Sequence, residues 1–287
     1  MIYLNNKVVP KERAVISVFD HGFLYGDGIY ETLRAYNGVV YMLDEHVKRL
    51  FRSASLIELV IPKSQDAVKK AVYKTMKANR VKEAVIRITV SRGAGPVGLD
   101  PVLCPEATFV IFVTPFRKYP VQYYHKGVKV AIADIRRNYS RALDPRIKSL
   151  NFLNNILAKI EAKRKGAYEA VMLNYRGYIA EGTITNIFFI KNNVLCTPSL
   201  KVGILDGITR RIILEAAHEL HIETCEGRFR PEDIRNAQEV FISNTTMEVM
   251  PVAEIINVRK YPGPGSHTRL LHKAYRKKVA EHTERER

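Results

Sequence analysis

The sequence predicts a mixed α/β (α+β) chain built as two domains. Three observations lead there. Segments with the period of two that marks a strand alternate with segments of helical period. A proline-bearing stretch, 115–126, interrupts that pattern and separates a first domain, 1–114, from a second, 127–287. At 287 residues and 46% hydrophobic, the chain can bury a sizeable core and is too apolar to be disordered.

In the first domain, Ile2-Tyr3-Leu4 and Val8-Val9 flank Asn5-Asn6, a hairpin turn. After a glycine-punctuated run from Val15 to Gly28, residues 29–36 read as a strand. Period two puts Tyr30, Thr32 and Arg34 on one of its faces. Asp44 is the expected cap of a helix with Val47, Leu50, Phe51, Ala54 and Ile57 inward and Arg49 off that stripe. Ser64 opens a second helix with Val68, Ala71, Val72, Thr75 and Met76 inward. Residues 84–90 form a strand that carries Arg87, a charge that is costly there unless it is paired, faces water or serves a site. Gly93-Ala94-Gly95-Pro96-Val97-Gly98 spells GxGxxG, yet Pro96 and Leu99-Asp100-Pro101 do not open the helix a dinucleotide site needs. Residues 108–114 complete the domain as an apolar strand.

The second domain opens on a strand over 128–135 and leads to Lys148. Leu150, Leu153, Ile156, Leu157 and Ile160 then follow at the spacing of one helix face, with Ser149 as the expected cap. Lys148 would sit at the positive end of that helix dipole, an arrangement that favours a nucleophilic amine. Glu181 ends a strand just before Gly182. Residues 169–174 with 177–180, and 186–190 with 194–197, read as hairpins. Gly207 precedes a helix with Ile212, Ile213, Ala216, Ala217 and Leu220 inward, whose first N–H groups suit an anion. The last helix begins near Ser266 with Leu270, Leu271, Ala274 and Tyr275 on one face. Taken singly, Lys148, Glu181 and Gly207 read more readily as a solvated lysine, an exposed acid and an ordinary capped helix.

Composition narrows the function classes. The longest strongly apolar stretch, 107–113, is too short to span a bilayer, and the N-terminus has no signal-peptide pattern. Cys104, Cys196 and Cys225 lack metal or CxxC spacing, so no metal site is expected and a cytoplasmic setting suits them. The net charge of +17 raises the possibility of a nucleic-acid partner, and a basic non-enzymatic binding module is the reading of a different class. The cations are spread among acids, however, and the densest runs, 159–165 and 276–278, fall on polar helix sides. No nucleic-acid or membrane partner is expected.

Lys148 and Glu181 gain meaning with their flanks. Ile147-Lys148-Ser149-Leu150-Asn151-Phe152-Leu153-Asn154-Asn155 and Gly177-Tyr178-Ile179-Ala180-Glu181-Gly182 resemble the signature of class IV (fold type IV) pyridoxal-phosphate enzymes. That family contains branched-chain aminotransferases, D-amino-acid aminotransferases and aminodeoxychorismate lyases. The resemblance implies a small N-terminal α/β domain and a larger C-terminal pseudo-barrel domain with the site between them, in a homodimer or larger homo-oligomer. It implies that Lys148 holds pyridoxal 5'-phosphate as a Schiff base and that Glu181 pairs with its pyridine nitrogen. Arg49, in Glu45-His46-Val47-Lys48-Arg49-Leu50, would bind the phosphate together with Ile208, Thr209 and Thr245. Tyr30, Arg34, Arg87 and Thr246 would line the substrate pocket. The implied chemistry is ping-pong exchange between amino acids and keto acids, with 2-oxoglutarate as acceptor.

Within the family, the stretch from Ser91-Arg92-Gly93 to Gly98-Leu99-Asp100-Pro101 resembles the branched-chain enzymes, and it lacks the R-x-H trap of the D-amino-acid enzymes. Other positions depart from the branched-chain pattern. Phe152 replaces a tyrosine, Thr32 a glycine and Tyr30 a phenylalanine, and Val85 stands where a pocket tyrosine is common. The first expectation is therefore a branched-chain L-amino-acid aminotransferase. The D-amino-acid or (R)-amine transaminases come next, and then the lyase.

Overall fold

In the computed structural model, which describes residues 1–286, the chain divides into two units. The first comprises Met1–Arg117, Ile147–Phe152 and the chain from Glu281 onward; the second comprises Lys118–Arg146 and Leu153–Ala280.

The first unit is built on a six-stranded antiparallel sheet. Its strands are β1 (Ile2–Leu4), β2 (Lys7–Val9), β3 (Gly28–Tyr36), β4 (Val39–Val40), β5 (Ala84–Ser91) and β6 (Thr108–Pro115), in the order β2-β1-β6-β5-β3-β4. The first hairpin turns at Asn5, whose φ of 53° is a conformation asparagine tolerates. A short helix, α1 (His21–Tyr25), precedes β3, and α2 (Leu43–Leu56) and α3 (Gln65–Asn79) pack on the sheet. Ser64 caps α3 by accepting from the Ala67 N–H at 3.2 Å, and the five predicted inward residues of α3 are all buried. Along β5, Ala84, Ile86, Ile88 and Val90 are sealed in the core while Val85, Arg87 and Thr89 lie half-buried on the other face.

Two expectations for α2 are corrected. The helix starts at Leu43 after Met42, which has a φ of 52° and supplies no side-chain cap, so Asp44 lies inside the first turn. Arg49 is buried rather than off the core side, because a buried carboxylate on β3 receives it.

A larger correction concerns Lys148. Residues 147–152 are not the start of a helix. They are irregular chain lying against β3, with Ser149 in a single bridge to Ile29. The Tyr30 N–H donates to the Lys148 carbonyl at 2.9 Å and the Leu150 N–H to the Gly28 carbonyl at 2.8 Å. Gly28 is crowded from two sides: a Cβ there would lie 2.6 Å from the Val90 carbonyl oxygen and 2.8 Å from Ser91 Cα on β5, and 2.7 Å from Leu150 Cδ1.

The second unit is a curled, barrel-like sheet of nine strands. Its elements are α4 (Val121–Lys126), β7 (Val128–Ile132), α5 (Leu153–Arg164), β8 (Glu169–Leu173), β9 (Ile179–Gly182), β10 (Asn186–Lys191), β11 (Val194–Pro198), α6 (Ile208–Glu219), β12 (Thr224–Gly227), α7 (Pro231–Arg235), β13 (Glu239–Asn244), β14 (Glu248–Ile255), β15 (Arg259–Lys260) and, as far as Ala280, α8 (Ser266–Arg285). The strand path is β12-β11-β10-β13-β14-β7-β8-β9, with β15 on β14. Parallel pairing joins β11 to β12 and β7 to both β8 and β14; the other pairs are antiparallel. The predicted strand at 128–135 stops at Ile132, and residues 121–126, expected as irregular chain, form α4.

On α5 the predicted inward stripe is reversed. Leu153, Ile156, Leu157 and Ile160 are exposed, whereas Asn155, Ala158 and Ala162 are buried. The small alanines let the helix approach Ala133, Ala170 and Met172 closely, and the Asn155 amide donates to the Thr183 carbonyl at 2.6 Å. On α8, Leu271 and Tyr275 are buried as expected but Leu270 is exposed, because the inward line runs Thr268, Leu271, Tyr275, Val279. Among the described residues, no helix is long and apolar enough to cross a membrane.

Candidate active site

The first unit gathers a lysine, two arginines, a histidine and a carboxylate around β3. The Lys148 N–H donates to Ser53 Oγ at 3.2 Å, which ties its backbone to α2 as well as to β3. Its Nζ lies 4.5 Å from the centroid of the Tyr30 ring. The Arg87 guanidinium carbon stands 3.5 Å from the same centroid, and Phe152 meets Tyr30 edge-on at 5.7 Å. Two cations therefore share one aromatic ring, whose face attracts positive charge. Burial draws the Arg87 pKa down from its ordinary value, against the pull of Tyr30 and Glu31.

On the opposite phase of β3, Glu31 is sealed in the core with Ile29, Leu33 and Ala35. It accepts from Arg49 Nε at 2.7 Å, from Arg49 Nη2 at 2.8 Å and bonds His46 Nδ1 at 2.7 Å. Burial alone would raise the Glu31 carboxyl, but the Arg49 guanidinium, with His46, overturns this and holds it far below the usual carboxylate range. Burial lowers the His46 pKa; Glu31 opposes that, while the Arg49 and Lys148 charges add to it. Because His46 senses the Lys148 charge, this cluster and the lysine belong to one electrostatic neighbourhood.

The second unit carries the other predicted residues. Glu181, buried at the end of β9, accepts from Arg137 Nε at 2.8 Å and from the Leu205 N–H at 3.0 Å. The Asn186 amide reaches both Glu181, at 3.4 Å, and the Leu205 carbonyl, at 3.2 Å. Two residues beyond Leu205 stands Gly207, the N-cap of α6, and no side chain caps that helix. A Cβ on Gly207 would lie 2.0 Å from Asn186 Oδ1, so any larger residue there would displace the Asn186 amide. Ile208 and Thr209 follow, both buried. Glu181 and the uncapped helix start are thus brought together through Leu205 and Asn186. Thr245 and Thr246 lie on the turn from β13 to β14. Thr246 Oγ1 bonds Asn244 Oδ1 at 3.1 Å and the Tyr119 hydroxyl at 2.9 Å.

Tyr30, Arg87, Lys148 and Arg49 therefore cluster in the first unit, and Glu181, Ile208 and Thr209 in the second. Arg34 stands apart. It is buried with its guanidinium carbon 4.2 Å from the Tyr36 ring centroid and 3.6 Å from that of Phe116. Glu31, His46 and Asn186 receive no role from the sequence. Glu31 carries a readable signal all the same: it is the one charge on the apolar phase Ile29, Glu31, Leu33, Ala35, and a charge in that position needs a buried partner.

The second unit's groups suit a phosphorylated heteroaromatic ring. The uncapped start of α6 offers backbone donors and a favourable dipole to a phosphate. The Ser243 hydroxyl is buried without a hydrogen-bond partner among the described residues, and Ser243 pairs in register with Asn186, the residue packed against Gly207. Glu181 supplies a buried carboxylate for a ring nitrogen. In the first unit, Lys148 supplies an amine for an aldehyde. These donors fit pyridoxal phosphate.

Comparisons with known proteins agree. The family model for amino-transferase class IV matches residues 28–255. The "Putative branched-chain-amino-acid aminotransferase" of Methanocaldococcus jannaschii is 42% identical over 254 residues, 88% of this chain and 87% of that protein. An aminodeoxychorismate lyase of Bacillus subtilis is 34% identical, covering 97% of this chain and 94% of its own length. A D-alanine aminotransferase of Listeria monocytogenes is also 34% identical, with 96% and 94% covered. Among solved structures, the branched-chain aminotransferase of Thermoproteus uzoniensis with norvaline superposes with a TM-score of 0.91 at 33% identity, covering 97% of this chain and 94% of that one. The branched-chain amino acid aminotransferase of Thermobaculum terrenum in its PLP-bound holo-form gives 0.86 at 26%, covering 97% and 93%.

The Glu31 cluster yields a stability prediction. Glu31→Gln leaves Arg49 and His46 buried without their counter-charge and is expected to cost about 3 kcal/mol, read as a lower urea midpoint at pH 7. The Glu31 carboxyl is depressed below its ordinary value of 4.5. Its contribution is therefore complete above that value and fades as the pH falls below it. The acid limb of the stability curve between about pH 5 and pH 3 should be shallower in the variant than in the wild type. A variant with the wild-type midpoint and acid limb contradicts this account.

Proposed function

The chain belongs to the amino-transferase class IV family, and we propose that within it this enzyme exchanges amino groups between branched-chain L-amino acids and 2-oxoglutarate. It is a pyridoxal-phosphate-dependent transaminase. When bound, the cofactor supplies an aldehyde carbon and a ring that withdraws electrons from it. The protein does the rest. Lys148 is the residue that would hold the aldehyde carbon, and its amine is the base that would carry the proton of the substrate's α-carbon. Its backbone is pinned by hydrogen bonds to β3 and α2, so the side chain alone must move. Glu181 balances the charge of the ring nitrogen. Arg49, Ile208, Thr209 and Thr245 bind the phosphate, and Glu31 with His46 sets the plane of the Arg49 guanidinium.

On the substrate side, Arg87 is the carboxylate ligand, held over the Tyr30 ring, and Thr246 is a further substrate-binding residue. Arg34, wedged between Tyr36 and Phe116, serves as a rigid wall. The observation that carries the branched-chain assignment is the 42% identity to the Methanocaldococcus jannaschii protein, above the 34% to the lyase and to the D-alanine enzyme. We place the enzyme in the cytoplasm, in keeping with its odd number of cysteines. We also infer a homodimer. The exposed stripe Leu153, Ile156, Leu157 and Ile160 on α5 is an apolar helix face that a second copy would cover.

Two measurements test these readings. Incubation with 2-oxoglutarate and L-leucine should release 4-methyl-2-oxopentanoate at least tenfold faster than D-alanine releases pyruvate. Faster D-alanine turnover, or pyruvate from aminodeoxychorismate without exchange, removes the branched-chain assignment. Light scattering should give the mass of two chains, and Ile156→Glu should shift it toward one. A single-chain mass for the wild type refutes the dimer.

A further inference from the structure

Cys196 lies on β11 and Cys225 on β12, remote in sequence, with α6 between them. The two strands pair in parallel with Leu195 opposite Thr224, Cys196 opposite Cys225 and Thr197 opposite Glu226. Neighbouring strands lie about 4.8 Å apart, and residues opposite one another point to the same face. A disulfide spans Cα separations of about 4.4–6.8 Å, so this register meets its basic requirement. β12 is the last strand on its side of the sheet. We propose that Cys196 and Cys225 are an oxidisable pair that closes to an intrachain disulfide, with hydrogen peroxide as the oxidant, and staples β12 to β11.

The two thiols differ in a way that orders the steps. Cys225 is exposed, whereas Cys196 is buried. Burial pushes the Cys196 thiol up to about 11, Cys225 and Asp233 push the same way, and Lys191 opposes them. Cys225 therefore meets the oxidant first. Its thiolate sulfur attacks one peroxide oxygen, the O–O bond breaks and hydroxide leaves, giving a sulfenic acid. The Cys196 sulfur, giving up its proton, then attacks the Cys225 sulfur. The S–S bond forms, the S–O bond breaks, and the departing oxygen leaves as water. Two thiols lose two electrons in total, and one peroxide becomes two waters.

The staple would hold a strand that supports the start of α6. Glu226, next to Cys225, forms an ion pair with Arg210, whose Nη2 also donates to the Pro198 carbonyl at 2.9 Å. Arg210 directly follows Ile208 and Thr209. A covalent link at Cys196–Cys225 restrains both strands that hold this arginine, and it closes a loop that is open in the unfolded chain.

The test uses the full-length holoprotein, treated with a small excess of hydrogen peroxide or kept in dithiothreitol, then mapped without reduction. The expected result is a peptide linking Cys196 to Cys225, a loss of two hydrogens in the intact mass, and a melting temperature raised by about 5 °C. Dithiothreitol should reverse all three, and Cys104 should remain alkylatable. Cys225→Ser should abolish the link and the thermal shift. Cys196→Ser should leave a Cys225 sulfenic acid that dimedone traps. Recovery of Cys225 as a sulfinic acid while Cys196 is still alkylated after unfolding overturns the pair. A linked peptide with an unchanged or lower melting temperature overturns the staple.

Discussion

Three hydrogen bonds fix the place of Lys148. The Tyr30 N–H donates to its carbonyl, the Leu150 N–H to the Gly28 carbonyl, and the Lys148 N–H to Ser53 Oγ. Each contributes about 1 kcal/mol net of the water bonds it replaces. Together they leave the main chain no freedom while the side chain projects over the Tyr30 ring. The segment reads in sequence as the prelude to a helix, yet it is irregular chain bonded to β3 of the first unit. Gly28, which accepts from the Leu150 N–H, has no room for a side chain between the β5 backbone and Leu150.

One strand then serves two purposes. The even-numbered phase of β3 offers Tyr30 to Lys148 and Arg87, and the odd-numbered phase sends Glu31 into the core to receive Arg49 and His46. A carboxylate sealed in an apolar core is tolerable only when its charge is answered, and here a bidentate arginine and a histidine answer it. The second unit follows the same logic on a smaller scale. Glu181 is answered by Arg137 and by the Leu205 N–H, and Asn186 links it to the glycine that opens α6. In both units a charged group that would be costly alone is held in one orientation by partners from neighbouring elements.

Much of this is legible in the sequence, and the failures have physical causes. α3 is readable to its cap and its full inward stripe because it is an amphipathic helix with an ordinary serine cap. α5 misleads because its larger apolar residues face outward and its alanines face in, the reverse of the usual pattern for a helix on a sheet. Arg34 and Arg87 share one phase of the sheet surface, but Phe116 and Tyr36 enclose the first while the second stays half-buried. That difference depends in part on Phe116, distant in sequence from Arg34. The facing of Cys196 and Cys225 is set by a parallel register, which leaves no trace in local spacing.

The central claim is that the Lys148 amine is the group that holds the aldehyde. Reduction of the holoprotein with borohydride, followed by peptide mapping, tests it most directly. The account predicts a single stoichiometric pyridoxyl adduct on the peptide that contains Lys148 and none in Lys148→Ala. A stoichiometric adduct on any other lysine, or none on a fully loaded protein, would contradict it.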